Sequence, residues 1–457
     1  MKTFPDLPPA CPPPAAPAPS PAGAMLVRVI AVLARAQISC CILHGYETYP
    51  HQVNGDVDCL IPAKFLPEKL GKALDDAQDE IGARVVQWFT DGSDFIVLAG
   101  RDEDGSPLLL QLHVSSHYEM ADRVFFDADE ILQGARRQGP FVVPAVDIEF
   151  ACILANRLSK ADLTDDHGRR LSALYALRPL PCTSRVGRLL PLAEARMVCQ
   201  AARDGDWKPV QREIDSIRHA LLASRSTPPA GRRLHRFIRK AARWIRPRNG
   251  YHVVFLGPDG VGKSTTIETV QRDLAPAFLS SAYLTFAPGL LPQKFAPPKP
   301  DGPHSLPPRS LPGSLLKAAW WLVCYTLGYF ATIRPTLARA GLVVNHRYLI
   351  DAIVDQKRYR YGGPVWLLKW IWAIAPKPDL VILLDAAPEV IQSRKQEVPF
   401  EETVHQVQSY RAVIAPLPIG KIVNAAQPRH NVACQVEWLV LDQMAQRVRR
   451  NMRSERT

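Results

Sequence analysis

Two kinds of hydrophobic pattern alternate along this chain. Apolar positions at helical spacing occupy residues 25–36, 65–82 and 146–180, and such spacing predicts amphipathic helices. Short apolar runs occupy residues 38–45, 56–61, 83–90, 94–100 and 107–116 and predict strands. Asp104-Gly105 lies between the last two runs and favours a hairpin turn. The pattern predicts a small mixed α/β domain over residues 25–180, with trailing helices.

The C-terminal half has a different pattern. Its strand-like runs are nearly uniformly apolar, at residues 251–257, 341–348, 378–386 and 421–425, and helical stretches separate them. Strands without alternation are typical of a parallel sheet that helices cover on both faces. Residues 250–457 are therefore predicted to form an α/β domain with a parallel sheet. A proline-rich insert at residues 286–314 is predicted to be a lid or disordered.

Composition sets the remaining boundaries. The 457 residues include 42 prolines, and many of these fall in residues 1–24, which we expect to be a disordered arm. Residues 181–249 are predicted to be a helical connector. The nine cysteines follow neither a disulfide nor a zinc pattern, which is typical of buried thiols in a reducing cytoplasm. The net charge of +12 permits anionic partners without choosing among them.

A basic amphipathic helix is predicted at residues 231–248. Eight Arg and Lys lie there without an acidic residue, and Leu234, Phe237, Ile238 and Ile245 share one face. Two interpretations stay open: peripheral contact with an anionic membrane, or an interdomain helix whose arginines are solvated. Nucleic acid is not favoured, because no basic groove interleaved with aromatic residues accompanies the helix.

An uncharged stretch at residues 318–333 needs a separate test. It is shorter than the roughly 20 residues that span a bilayer, so we predict a buried helix rather than a membrane span.

The strongest chemical signal is the segment from Gly257 to Thr265, GPDGVGKST. It matches a phosphate-binding loop, and it lies between a strand-like and a helical run, as that motif requires. Glycines let backbone N–H groups approach phosphate oxygens, Lys263 would reach the β- and γ-phosphates, and the Ser264 hydroxyl would bind Mg²⁺. The predicted nucleotide-binding residues are Gly257, Asp259, Gly260, Gly262, Lys263, Ser264 and Thr265.

With its Asp259-Gly260 pair, this loop resembles that of the thymidylate kinase family. Three further segments resemble that family in the same order: GLVVNHRY (341–348), PDLVILLDAAPEVIQSRK (378–395) and FEETVHQVQSYRAV (400–413). The resemblance covers residues 250–448 and implies a kinase fold that uses ATP and Mg²⁺. It implies that Arg347 binds the acceptor or its phosphate and that Arg394, with Lys395, supplies lid cations. Dimers are common among similar kinases, so a homodimer is also expected.

The segment departs from the family pattern at His346, where an aspartate is expected. A neutral histidine cannot replace a carboxylate in organising Mg²⁺, so Asp351, Asp355 or Asp385 would have to compensate. Asp385 is the favoured candidate because it ends a predicted parallel strand. The run KRYRYGG at residues 357–363 matches no family element, and the acceptor need not be thymidylate.

In the first domain, Gly45-Tyr46 precedes Asp56-Val57-Asp58 in a pattern that resembles nucleotidyltransferases. Alternate strand residues face the same side, so Asp56 and Asp58 could together hold Mg²⁺. A third carboxylate from a neighbouring strand is expected in that fold, and Gln111 and His113 occupy the corresponding run. An active domain, a binding domain and an acidic turn all remain open.

Three functional hypotheses follow. The first is an ATP-dependent kinase of the thymidylate kinase-like class that binds a nucleoside triphosphate and a small anionic acceptor, either a nucleotide or a phosphorylated sugar or glycolipid. The second is a nucleotide-binding scaffold whose catalytic carboxylates are lost. The third is a nucleotidyltransferase that acts through Asp56 and Asp58. The kinase is the interpretation we favour.

Overall fold

The computed structural model describes residues 18–121, 123–224, 249–288, 306–396 and 398–454. Most of the predicted arm, the basic helix at 231–248 and most of the proline-rich insert lie outside the described residues. Helix α1 (Pro21–Arg35) begins with Ser20 as its N-cap, so it starts four residues before the predicted boundary at residue 25.

The N-terminal part is built on a mixed five-stranded sheet. Its strands are β1 (Cys41–Ile42), β2 (Val57–Leu60), β3 (Ala83–Asp91), β4 (Ser93–Arg101) and β5 (Pro107–Ser115), in the order β1-β2-β5-β4-β3. Only β2 and β5 run parallel, and the predicted hairpin at Asp104-Gly105 joins β4 to β5. Helices α2 (Glu68–Asp76) and α3 (Gln78–Ile81) lie between β2 and β3. The predicted helix at 65–82 is therefore two short helices.

A helical unit follows the sheet and shares a core with strands β1 and β2, which contribute Cys41 and Leu60. Two short hairpins and a helix lead into it: β6 (His117–Met120), β7 (Arg123–Asp127), α4 (Ala128–Leu132), β8 (Arg136–Gln138) and β9 (Phe141–Val143). The unit itself contains α5 (Val146–Lys160), α6 (Asp165–Leu177), α7 (Pro179–Leu189), α8 (Leu192–Asp204), α9 (Lys208–Arg212) and α10 (Ile214–Ala223). Its core includes Phe150, Leu171 and Val198.

The C-terminal part is a five-stranded parallel sheet, as predicted. Its strands are β10 (Tyr251–Leu256), β11 (Ser281–Thr285), β12 (Leu342–His346), β13 (Leu380–Asp385) and β14 (Gly420–Asn424), in the order β11-β12-β10-β13-β14. The sequence pattern missed β11, because this edge strand has no fully buried residue and gives no apolar run. The central strands β10 and β13 are buried along nearly their whole length.

Helices cover both faces of this sheet. They are α11 (Lys263–Asp273), α12 (Leu311–Gly328), α13 (Arg334–Ala338), α14 (Leu349–Val354), α15 (Val365–Ile374), α16 (Pro388–Arg394), α17 (Phe400–Ile414) and α18 (Arg429–Ser454), and a π-helical turn (Tyr329–Ile333) connects α12 to α13. Among the helices within the described ranges, none is long and apolar enough to cross a membrane.

Helix α12 is only half buried, which corrects the prediction of a buried helix at 318–333. Ala318, Trp321 and Tyr325 face the core, whereas Trp320 and Leu327 are exposed. The two sheets share a core through α18, since Val86 and Val97 of the first sheet belong to the same cluster as Phe255 and Leu441.

Candidate functional site

The predicted phosphate-binding loop follows the central strand of the parallel sheet. Strand β10 pairs in parallel with β12 on one side and β13 on the other, and the chain enters α11 at Lys263. In such sheets the carboxyl end of this strand, where the strand order reverses, is the usual place of a ligand crevice. Gly257, Gly260 and Gly262 have φ of +139°, +87° and +104°, which only glycine adopts without strain.

Lys263 lies inside this loop. Its side chain is 4% exposed, and Nζ donates to the carbonyl oxygens of Gly257 (2.7 Å) and Pro258 (2.8 Å). Burial, reinforced by the Arg347 charge, lowers the pKa of Lys263 to about 8. Ser264 and Thr265, in the first turn of α11, are exposed. The lysine is thus held at the loop by neutral carbonyls, which a phosphate could replace as partners.

Asp259 is the carboxylate at the centre of the site. It forms ion pairs with Arg347 and Arg358, and Lys263 Nζ lies 3.4 Å from its Oδ1. All four side chains are at most 16% exposed. Three cations therefore converge on one carboxylate in a setting largely shielded from water, where their attraction for an anion is strong.

A second layer of hydrogen bonds fixes this cluster. The fully buried Asp351 accepts hydrogen bonds from the Tyr410 hydroxyl (2.6 Å) and the Tyr348 amide (2.7 Å), and it lies 3.8 Å from Arg347 Nη1. Burial raises the pKa of Asp351, and the Arg347 charge opposes that shift. Arg347 itself has φ of +76°, a strained conformation for a residue with a side chain.

Asp355 fixes the backbone at Arg358. Its Oδ1 accepts a hydrogen bond from the Arg358 amide (3.0 Å), and its Oδ2 accepts one from Gln406 (3.0 Å). Both Asp351 and Asp355 are thus occupied as supports for the two arginines.

His346 and Asp385 end the two strands beside β10. Burial and the neighbouring Lys263 lower the pKa of His346 to about 4, so the ring is neutral near pH 7. Arg411 binds both oxygens of Asp385, with Nε distances of 3.1 and 3.0 Å. Asp385, predicted to compensate for the missing carboxylate, is therefore already paired with a cation.

Arg394 reaches the phosphate-binding loop from outside. Its Nη1 donates to the carbonyl oxygens of Ala425 (3.0 Å) and Val261 (3.4 Å). A methyl group at Gly260 would lie 2.9 Å from Lys395 Cβ. In this conformation Arg394 braces the loop, and its predicted role as a lid cation stays a prediction.

Aromatic side chains form the wall next to Arg347. Phe286 stacks on Tyr359 with ring centres 4.4 Å apart, and Trp321 and Tyr325 of α12 pack edge-on against Phe286. The Tyr325 hydroxyl and the Asn345 amide both donate to the Phe286 carbonyl, each at 3.0 Å. The inner face of α12 thus packs against Phe286 through Trp321 and Tyr325.

Sequence reasoning missed Arg358 and Tyr359. Both lie in the run KRYRYGG (357–363), which matches no element of the family pattern and for which the sequence predicts no function. Its dense cations and tyrosines were the available signal.

The acidic pair of the first domain also meets other polar groups. Ligand atoms of Asp56, Asp58 and His113 lie within 4.8 Å of one another. Strand pairing places Asp58 opposite His113, with Oδ1 and Nδ1 2.8 Å apart, and Ser93 Oγ lies 2.6 Å from His113 Nε2. Gln111 instead donates to the Pro276 carbonyl (2.6 Å). His113 therefore occupies the position where a third carboxylate was expected.

Comparison with known proteins supports a kinase. No family model matches the chain. It is 27% identical to a thymidylate kinase of Lactobacillus acidophilus over 207 residues, which cover 41% of this chain and 92% of that protein. A thymidylate kinase of Lactobacillus helveticus is 29% identical over 154 residues (33% and 70%), and a probable thymidylate kinase of Pyrobaculum aerophilum is 25% identical over 198 residues (41% and 95%). Over about a third to 41% of its length the chain is similar to thymidylate kinases, and the similarity supports a thymidylate kinase-like P-loop kinase.

Proposed function

We propose that this protein is an ATP-dependent phosphotransferase of the thymidylate kinase-like class. The observation that carries the proposal is the convergence of Lys263, Arg347 and Arg358 at the glycine loop, on the carboxyl end of the central strand. Phosphoryl transfer requires little covalent chemistry from the protein, and its catalysis rests on positioning and on neutralising charge. A shielded cluster of three cations meets that requirement.

Each residue of the site has a proposed ligand. Backbone N–H groups of Gly257 and of residues 259–263, together with Lys263 Nζ, would bind the β- and γ-phosphates of ATP. The exposed Ser264 hydroxyl would be the protein ligand of Mg²⁺, which neutralises phosphate charge when bound. Arg347 and Arg358 would exchange part of their contact with Asp259 for the transferring group or the acceptor.

The acceptor is proposed to be a small anion, either a nucleotide or a phosphorylated sugar or glycolipid. Arg347 would bind its phosphate, and the wall formed by Phe286, Tyr359 and Trp321 would contact its less polar part. Because neutral His346 replaces a carboxylate next to Arg347, the acceptor need not be thymidylate.

Transfer from radiolabelled ATP to nucleoside monophosphates, sugar phosphates and glycolipids tests the proposal. We expect one acceptor class to be labelled and Lys263→Ala to abolish the labelling. The control is Lys208→Ala, which removes an exposed lysine far from the loop and should leave transfer intact. Full turnover by Lys263→Ala would refute the assignment. MgATP binding without transfer to any acceptor would favour the scaffold hypothesis instead.

A nucleotidyltransferase activity in the first domain is a second candidate, because Asp56, Asp58 and His113 converge there. The two carboxylates and the imidazole suit a divalent cation, and the Ser93 hydroxyl would orient the imidazole through its other nitrogen. Pyrophosphate release that is lost in Asp56→Asn and Asp58→Asn, but not in the exposed control Asp129→Asn, would support it. Release that persists in both variants would exclude it.

A further inference from the structure

Two neighbouring helices of the C-terminal part expose large apolar side chains in stripes. On α12, Leu316, Trp320 and Leu327 share one side, since they are four and then seven residues apart. On α15, Trp366, Trp370 and Ile374 recur every four residues. Leu316 is 75% exposed and Trp366 67% exposed. We call these six residues the apolar face.

The two stripes lie on the same side of the molecule. The opposite sides of α12 and α15 contribute Trp321, Tyr325, Leu368 and Ile371 to one core cluster, and the two helices contact each other. Helices packed side by side on one core turn their outer sides in the same general direction. Exposed apolar residues scattered singly are ordinary, whereas a group that contains three tryptophans marks an interaction surface.

Cations predominate in the segments that carry the apolar face, although Lys357 pairs with Glu402, and Arg347 and Arg358 pair with Asp259. Residues 306–350 and 356–378, which include both helices, contain ten Arg and Lys and no Asp or Glu. Arg309, Arg339 and Lys369 among these cations are exposed. Lys377 lies over the Trp372 ring, 4.2 Å from its centre. The partner that such a surface fits is apolar in its interior and anionic at its rim.

This charge disfavours the two partners that the chain itself could offer. A second copy that docked through the same face would bring two sets of cations together, since a twofold interface repeats the same residues on both sides. The segment at 231–248 is predicted to have an apolar stripe of its own, but it carries eight Arg and Lys without an acidic residue. Both pairings would add like charges at close range.

We propose that the apolar face docks the protein on the surface of an anionic lipid bilayer. Trp320, Trp366 and Trp370 enter the interfacial zone, where the amphipathic indole ring is most stable, and the leucines and Ile374 reach the acyl boundary. The exposed cations attract acidic headgroups from a distance of about one Debye length. The protein lies on the membrane in this arrangement and does not cross it.

Co-sedimentation of the full-length chain with vesicles tests the proposal. Vesicles of phosphatidylcholine with phosphatidylglycerol are compared with vesicles of phosphatidylcholine alone. The double variant Trp366→Ser/Trp370→Ser removes two tryptophans that are already exposed, so the fold should persist. Its control is Leu180→Ser/Leu192→Ser, which removes two leucines outside the apolar face that are 84% and 68% exposed.

We expect binding to the anionic vesicles that weakens with salt. The tryptophan variant should bind about tenfold or more weakly, from the aromatic area that it no longer buries, while the leucine control should bind normally. Absence of binding to anionic vesicles would overturn the proposal, and so would equal losses in the two double variants. Loss of binding on deleting 231–248, with no effect of the tryptophan variant, would assign the contact to that segment instead. A dimer in sedimentation velocity that the tryptophan variant dissociates would show that a second copy covers the face.

Discussion

Asp259 sets the charge balance of the candidate site at the scale of single residues. It is the carboxylate that Lys263, Arg347 and Arg358 share. Asp351 lies beside Arg347, and Asp355 accepts a hydrogen bond from the Arg358 amide. The side chain of Asp259 thus acts as an internal anion that keeps the cations close together before a ligand arrives. Removing one cation should leave the others more fully engaged with Asp259 and less available to phosphate.

Arg358→Gln should therefore weaken MgATP binding by about 10- to 100-fold, since a charge-assisted contact in a shielded site is worth roughly 1.5–3 kcal/mol. Lys357→Gln is a matched control, because Lys357 is 66% exposed and pairs with Glu402 at the surface. Titration calorimetry of both variants measures the difference. Equal affinities in the two variants would place Arg358 outside the nucleotide site.

Glu437 of α18 is a buried carboxyl group outside that site. It is 1% exposed, and its Oε1 has no hydrogen-bond partner among the described residues. Burial, with the nearby Asp273 charge, raises the pKa of Glu437 to about 7. A raised carboxyl pKa means that the folded state holds the proton more tightly than the unfolded state. The contribution to stability is therefore full below the ordinary pKa near 4.5 and is lost as the pH rises through about 7.

We expect Glu437→Gln to raise the free energy of unfolding at pH 8 by about 1–3 kcal/mol, with little effect at pH 4.5. The control Glu268→Gln changes an exposed glutamate of α11 and should be neutral at both values. Denaturant midpoints across this pH range provide the measurement. A gain that is independent of pH would show that the proton is not its cause.

The loop between β10 and α11 shows how one element limits its neighbours. Gly257 needs its φ of +139°, and a methyl group there would lie 2.6 Å from the Leu384 carbonyl oxygen of β13. The loop is therefore shaped by close contact with the adjacent strand as well as by its own glycines.

Gly257→Ala should destabilise the protein by about 1–3 kcal/mol, because it combines strain with overpacking, and it should weaken ATP binding. Gly187→Ala, in helix α7 with open space around it, should instead stabilise the protein by roughly 0.5–1 kcal/mol. Thermal unfolding with and without MgATP compares the two. If Gly257→Ala changed neither the unfolding midpoint nor its shift with MgATP, β13 would be shown to move aside readily.

At the scale of the whole molecule, α18 joins the two sheets. Trp438 donates from Nε1 to the Gly105 carbonyl oxygen (2.9 Å) in the hairpin of the first sheet, and its ring lies 4.1 Å below the Arg101 guanidinium. Arg84 of β3 pairs with Asp442 one turn later. The N-terminal and C-terminal parts therefore share a continuous, partly apolar interface.

Trp438→Ala should lower the free energy of unfolding by about 3–5 kcal/mol and separate one unfolding transition into two. The half-exposed Trp370 gives a control, Trp370→Ala, which should cost less than Trp438→Ala and leave the number of transitions unchanged. Calorimetric scans report both the midpoint and the number of transitions. Two independent transitions already present in the unmodified protein would contradict the coupling.

The local pattern of the sequence determined much of the fold. Apolar runs predicted β10, β12 and β13, because a strand buried on both faces leaves little room for polar residues. The short run KIVNA predicted β14, an edge strand in which only Val423 is buried. The glycine loop was predicted with its flanking strand and helix, because its chemistry depends on neighbouring residues alone. Strand β11 was missed because none of its residues is fully buried and its sequence, SAYLT, contains no apolar run.

Only the tertiary structure decided which distant residues meet. Arg358 reaches Asp259 across nearly a hundred residues, and His113 meets Asp58 across a strand pairing. It also decided that α12 buries Trp321 and exposes Trp320, a difference between adjacent residues that depends on what packs against the helix. The sequence by itself predicted four of the five parallel strands and the glycine-rich loop between a strand and a helix, since both depend on near neighbours. Contacts between distant segments form the ion pairs of Asp259, leave α12 half exposed and join the two sheets through α18. The local pattern of the sequence does not encode such contacts.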